Sequence, residues 1–308
     1  MENEANISSF EKKKALQKII RVSGYTSAHV AKEKCTITQV FANRAMPMPH
    51  FSANLSLLFK ELPLIDRFSA AKNAGFDAVE IQFPYELSIE QIHEELEIND
   101  LDLVLINVPA GDLMQGGDGL ACVPKRENAF RQAVMEALRY ADALGVGRVN
   151  VLAGRQPIDG DFLHCLHTLS ANLRYAAEAF QSIGVITTFE AINTFDMPRF
   201  LIKSVVDMQE MLEVVDHPTL KMQFDCYHMA RMNENLATAL RDNINAIGHI
   251  QFADVPNRHQ PFTGNLPFAA LFELIGSLNY HGYCGAEYHP TGHSLDSLDW
   301  FQPYRRLP

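Results

Sequence analysis

From residue 50 onward the chain switches repeatedly between two hydrophobic periods. Short runs that alternate, or that string β-branched and aromatic residues together, read as strands: "HFSANLS" (50–56), "DAVEIQF" (77–83), "LDLVLINVP" (101–109), "RVNVLAG" (148–154), "VITTFE" (185–190), "LKMQFD" (220–225), "HIQFAD" (249–254) and "YCGAEYHP" (283–290). Between them, apolar residues fall at helical spacing over 62–75, 88–100, 129–145, 166–184, 204–216, 235–248, 268–282 and 294–306. Boundary residues agree with this reading. Pro63 opens the first helix, Ser88 caps the second, and Gly75, Gly145 and Gly184 close three of them. Strand and helix alternate about every 30 residues, which predicts a parallel sheet. Eight such units favour an α/β fold of the closed (β/α)8 TIM barrel type over a doubly wound open sheet. No GxGxxG follows an early strand, so the commonest dinucleotide-binding form of the open sheet is absent, and the GGDG at 116–119 falls in a loop.

Side chains alternate across a strand, and this assigns faces. In the fifth strand Glu190 and Thr188 oppose Phe189 and Thr187. In the sixth, Asp225 and Gln223 oppose Phe224 and Met222. In the seventh, Gln251 and His249 oppose Phe252 and Ile250, and in the eighth Glu287 and Gly285 oppose Tyr288 and Ala286. The apolar faces should meet the helices, which turns the polar faces into the barrel. Glu190, Asp225, Gln251 and Glu287 then end four consecutive strands, separated by 35, 26 and 36 residues. Their place is the carboxyl-end rim, where barrel active sites are built. Three converging carboxylates repel one another. A hard divalent cation, Mg²⁺ or Mn²⁺, resolves the repulsion through oxygen ligands, with the Gln251 amide as a neutral fourth. Zinc fits less well, because no thiolate or imidazole occupies these four places. Lys221, Gln223, His249 and Glu80 are expected to fill the barrel interior.

Composition narrows the function classes. With 47% hydrophobic and 20% charged residues over 308 positions, the chain reads as an ordinary globular enzyme-sized protein. No stretch approaches the roughly 20 apolar residues that span a bilayer. Residues 1–45 carry eight Lys/Arg against four Asp/Glu, so the formal charge of −11 leaves about −15 on the remainder. A body that acidic does not suit a phosphate backbone, and no nucleic-acid or membrane partner is expected. The five scattered cysteines include no CxxC pair, which points to a reducing compartment, the cytoplasm. Residues 1–46 read as an extension, poorly ordered or a short basic helix, and 47–308 as a single barrel domain.

The motifs "FEAINTFDMPRFL", "FDCYHM", "HIQFADVPNRH" and "GAEYHP" resemble the hydroxypyruvate isomerase family, close to the 2-oxo-tetronate isomerases, within the xylose-isomerase-like barrel superfamily. The resemblance runs over nearly all of 50–305. It implies that Glu190, Asp225, Gln251 and Glu287 hold the metal and that Glu190 and Glu287 form the acid/base pair. The implied reaction interconverts hydroxypyruvate and 2-hydroxy-3-oxopropanoate by proton transfer through an enediolate; a 2-oxo-tetronate isomerase, a related epimerase or a non-catalytic sugar-acid binder are the alternatives. His228, three residues past Asp225, is a candidate to bond a substrate oxygen, and Arg258 to pair with the carboxylate of a small keto acid. Barrels of this kind often pair, so a homo-oligomer is compatible with the sequence. One loop departs from the family: "PNRHQPFTGN" (256–265) stands where "PGRHEPGTGE" is usual, and His289 replaces a common lysine.

Overall fold

The structure, a computed structural model, describes residues 48–305. The extension assigned to residues 1–46 therefore lies outside the described residues.

Eight parallel strands close into a barrel in sequence order: β1 (His50–Asn54), β2 (Ala78–Ile81), β3 (Asp102–Asn107), β4 (Arg148–Val151), β5 (Ile186–Glu190), β6 (Leu220–Asp225), β7 (Ile247–Phe252) and β8 (Tyr283–Ala286). Pairing of β1 with β8 shuts the ring, with Ser52 opposite Gly285. Seven of the eight expected helical stretches contain α-helix: α1 (Arg67–Asn73), α2 (Ile89–Asn99), α3 (Glu127–Leu144), α4 (Phe162–Gln181), α5 (Val205–Val215), α7 (Leu236–Asn243) and α8 (Phe268–Ser277). Ser88 makes the capping box expected from its position, accepting from the Gln91 N–H while the Gln91 side chain returns the bond.

Two elements differ from the sequence reading. The described part of that last stretch, 294–305, holds two 3₁₀ segments, Leu295–Ser297 and Asp299–Tyr304. Pro303 removes a backbone donor there, and the segment is held by Trp300, which packs on Phe51 of β1, and by Phe301, which stacks on Phe76 in the loop before β2. An unexpected short helix, α6 (Cys226–Arg231), follows β6 directly, because Asp225 ends the strand and caps the helix at once, accepting from the Tyr227 N–H at 2.7 Å.

The alternation of faces is realised. Phe189, Phe224, Ile250 and Phe252 are buried among the helices' apolar residues. The barrel interior is instead polar: Ser52, Asn54, Glu80, Asn150, Thr188, Gln223, His249 and Gln251 are all buried there. They are joined across the ring by hydrogen bonds such as His249 Nε2 to Glu80 Oε2, 2.7 Å. Lys221 is not part of this filling: its Nζ donates to the Asn245 carbonyl (3.1 Å) near the exposed amino-terminal end of β6.

Candidate active site

At the carboxyl-end rim, Glu190 and Asp225 are the last residues of β5 and β6. Gln251 is next to last in β7, and Glu287 follows β8 immediately. Strand register sets Asp225 opposite Gln251, and Gln251 opposite Gly285. All four are buried, none more than 5% exposed. Glu190, Glu287, His228 and Arg258 line one small cavity of about 70 Å³, together with Gln82, Asn107 and Asp196 and an apolar wall that includes Phe83, Met114 and Leu152.

Each carboxylate has a defined environment. Glu190 Oε1 accepts from Asn150 Nδ2 at 2.8 Å. Asp225 spends Oδ1 on the backbone of α6, while its Oδ2 is buried without a hydrogen-bond partner among the described residues. Glu287 Oε1 accepts from Gln82 Nε2 (2.7 Å) and Asn54 Nδ2 (3.2 Å), and its Oε2 is paired with Arg258 Nη2. Gln251 donates from Nε2 to Glu80 Oε1 and accepts at Oε1 from Gln223, each at 2.7 Å.

Burial and mutual repulsion raise the proton affinity of this group. Glu190 sits well above the ordinary glutamate range, first through desolvation and then through the charges of Glu287 and Asp225. Desolvation also raises Asp225, against the pull of Arg258. Glu287 is pushed up to about 7 by desolvation, opposed by Arg258 and reinforced by Asp225 and Glu80. Glu80 behaves oppositely: burial alone would raise it, but His249 and the hydrogen bonds from His249, Gln251 and Asn54 outweigh burial and hold it below its usual range.

Glu190 and Asp225, two of the four expected ligands, are placed close enough to share a cation. Oxygens of Glu190 and Asp225 and a ring nitrogen of His228 lie within 4.8 Å of one another, and the unpartnered Asp225 Oδ2 is a buried anionic oxygen of the kind a divalent ion satisfies. His228 itself is better suited to another role. Asn193 Oδ1 accepts the N–H groups of Phe195 and Asp196, so the Asn193 nitrogen faces His228 Nδ1 at 2.7 Å. An amide nitrogen only donates; the hydrogen-bond network therefore assigns an unprotonated Nδ1 and puts the ring proton on Nε2. Desolvation, then the Arg258 charge, holds the His228 pKa well below its ordinary value, so the ring is neutral at physiological pH. Its Nε2 lies 3.5 Å from Asp225 Oδ2 without a hydrogen bond between them. A nitrogen that carries a proton is a donor to a substrate oxygen, not a lone pair for a metal.

Arg258 is fixed by the loop that departs from the family. Asp254 gathers this loop by accepting the N–H groups of Val255 and Leu266 at Oδ1 and of Thr263 and Gly264 at Oδ2. The Arg258 N–H donates to the Asp254 carbonyl at 2.9 Å, and the Arg258 carbonyl accepts from His289 N–H at 2.8 Å. Gln260 joins the loop to Thr291 through both ends of its amide. Phe262 keeps a positive φ of 70° without being glycine, a conformation that costs roughly 1–2 kcal/mol for an L-residue. Arg258 itself reaches Glu287 and, at 3.6 Å, Asp225, and its Nε–H has no partner among the described residues.

Several groups at this site were not picked out from the sequence: Asn54, Gln82, Asn150, Asn193 and Asp196. For Asn54 and Asn150 the signal was present, since each follows an inward position two residues earlier in its strand. Asn193 and Asp196 lie in the loop after β5, where no periodicity marks them.

Comparison with known proteins gives the family and supports the barrel fold. The family model described as xylose isomerase-like TIM barrel matches residues 68–304. The chain is 42% identical to a 2-oxo-tetronate isomerase of Cupriavidus necator, covering 83% of this chain and 99% of that one. It is 40% identical to the hydroxypyruvate isomerase of Escherichia coli, covering 84% and 100%. Among solved structures, one from Brucella melitensis, described as an AP endonuclease of family 2, superposes with a TM-score of 0.82 at 37% identity, covering 84% of this chain and all of that one.

Proposed function

The chain belongs to the xylose isomerase-like TIM barrel family, and from that premise we propose that it is an isomerase of short hydroxylated 2-keto acids, interconverting hydroxypyruvate and 2-hydroxy-3-oxopropanoate. The observation that carries this reading is the one small cavity that Glu190, Glu287, His228 and Arg258 share. Moving a carbonyl by one carbon requires a proton to leave one carbon and arrive at its neighbour, and two carboxyl groups of raised proton affinity are suited to that exchange.

One glutamate of the pair takes the carbon-bound proton and one returns it, and either can act first. In the cation-free protein Glu287 is pushed up to about 7, well above an ordinary carboxylate. Asn54 and Gln82 hold one of its oxygens, so its orientation is set before substrate enters. The neutral His228 donates its Nε2–H to the substrate oxygen on which negative charge develops. Arg258 receives the substrate carboxylate, and the apolar wall excludes water. Glu190, Asp225, Gln251 and Glu287 would hold a divalent cation, Mg²⁺ or Mn²⁺, which when bound supplies electrophilic stabilisation of that charge.

The 2-oxo-tetronate isomerases among the relatives make a four-carbon keto acid the second candidate substrate. A nuclease reading has the Brucella structure's description behind it, but a net charge of −11 and a rim cluster with one histidine oppose it. The free buried cysteines Cys122, Cys165, Cys226 and Cys284 suit a reducing compartment such as the cytoplasm. Among the described residues no helix is long and apolar enough to cross a membrane. The test is a side-by-side assay of hydroxypyruvate and 2-oxo-tetronate with Mg²⁺ or Mn²⁺. Conversion of the three-carbon acid is expected. Tight binding of both acids without conversion would instead make the protein a binding module and overturn the reading.

A further inference from the structure

Beneath the rim lies a fourth carboxylate, Glu80, that the proposed chemistry does not use. It comes from β2 and is fully buried inside the barrel. Four donors surround it. Its Oε2 accepts from Ser52 Oγ (3.0 Å) and His249 Nε2 (2.7 Å), and its Oε1 accepts from Asn54 Nδ2 (2.9 Å) and Gln251 Nε2 (2.7 Å). An ionised carboxylate only accepts, so every amide that touches it must turn its nitrogen inward. For Gln251 this fixes the oxygen on the side away from Glu80, where Gln223 meets it. For Asn54 the oxygen is held by the Ser56 N–H at 3.0 Å, and the nitrogen spans Glu80 Oε1 and Glu287 Oε1.

We propose that Glu80 is a positioning residue for the rim: through Asn54 it orients the Glu287 carboxylate, and through Gln251 it turns that amide's oxygen, which also accepts from Gln223, away from itself to serve as a ligand. The inference rests on the roles given to Glu287 and Gln251 above. The barrel makes room for it: a Cβ added at Gly285 would lie 2.3 Å from Glu80 Oε2 and 2.4 Å from Oε1. A side chain at 285 would therefore displace the carboxylate while leaving its chemistry intact.

The pattern of donors separates positioning by hydrogen bonds from a role for the charge alone. Asn54 and Gln251 both use the same oxygen, Oε1. A glutamine at this position can place its carbonyl oxygen there and keep both bonds. Its amide nitrogen then faces the Ser52 hydroxyl, which can accept, and His249 Nε2, which accepts in the other tautomer. Methionine has a similar shape and offers none of these contacts.

Three variants decide the matter: Glu80→Met, Glu80→Gln and Gly285→Ala, each followed by thermal unfolding, kcat and KM, and Mn²⁺ affinity from the free-ion electron paramagnetic resonance signal. Glu80→Met and Gly285→Ala should lose about tenfold or more in kcat and in Mn²⁺ affinity, with KM changed by less than about threefold. Glu80→Gln should recover most of the loss, at least about fivefold above Glu80→Met. Should Glu80→Met fail to fold, Gly285→Ala carries the same displacement test. Folded Glu80→Met or Gly285→Ala with unchanged kcat and Mn²⁺ affinity would overturn the proposal, as would a Glu80→Gln variant as impaired as Glu80→Met. Because Mn²⁺ binding needs no substrate, a wild-type protein that binds the ion yet converts neither keto acid would sink the functional reading alone.

Discussion

Replacing either Glu190 or Glu287 with glutamine is expected to lower turnover by about a hundredfold or more, the low end for a lost proton-transfer group, while the barrel stays folded. The two variants should differ in stability, and the difference checks the geometry. Glutamine at 190 can still accept from Asn150 Nδ2, and it removes a charge that is repelled by Glu287 and Asp225. Glu190→Gln should therefore melt no lower than the cation-free wild type. Glutamine at 287 keeps the bonds from Asn54 and Gln82 but deprives the half-buried Arg258 of its nearest carboxylate, leaving Asp225 at 3.6 Å. Loss of one partner of a buried pair is destabilising, so Glu287→Gln should melt lower. Steady-state kinetics and calorimetry on the two variants read both effects. Near-normal turnover in both would mean that neither carboxylate moves the proton.

Stripping divalent ions should have an effect of similar size on turnover. Chelation is expected to abolish activity and lower the melting temperature, and Mg²⁺ or Mn²⁺ should restore both. The size of the thermal shift should depend on pH in a definite direction. In the cation-free protein Glu190, Asp225 and Glu287 all have raised pKa values, Glu287 near 7. A carboxyl group whose folded pKa lies above its unfolded value contributes stability that is complete below the unfolded pKa and is lost as pH rises through the folded one. The stripped protein thus loses stability from these groups between the ordinary carboxylate range and pH about 7 or above. A bound cation favours the ionised forms and reverses that loss. The gap between loaded and stripped protein should widen from about pH 6 to about pH 8. At a hundred times Kd the ion adds about 2.7 kcal/mol, several degrees for a domain of this size. Full turnover after verified removal of the ion would contradict the cation's role.

Much of this was legible in the residue pattern, and the omissions have physical causes. Alternation along the last four strands was enough to gather Glu190, Asp225, Gln251 and Glu287 at one rim, because each ends a strand whose other face is plainly apolar. The same logic applied to the first four strands would have found Asn54 and Asn150, but lone amides among apolar neighbours carry no charge to draw notice. The register shift between Val79 and Glu80 also breaks the simple count there. The short helix α6 was hidden because Asp225 serves as strand end and helix cap together. The final helix was overcalled because apolar spacing at 294–306 reflects aromatic packing against the barrel bottom and not an α-helical face. The protonation of His228 could not be read from sequence at all, since it depends on Asn193, 35 residues away. The family, by contrast, was visible in four ordered strand-end motifs, and the comparisons bear it out.

In the proposed reaction the rim carboxylates move a proton between adjacent carbons of a bound hydroxy-keto acid. Proton and carbon nuclear magnetic resonance of hydroxypyruvate incubated with the Mg²⁺-loaded enzyme in heavy water tests it most directly. The expected result is conversion to 2-hydroxy-3-oxopropanoate with deuterium appearing at the exchanged carbon, and neither event with Glu190→Gln or Glu287→Gln. Wild-type protein that leaves hydroxypyruvate and 2-oxo-tetronate both unconverted and unlabelled would contradict it.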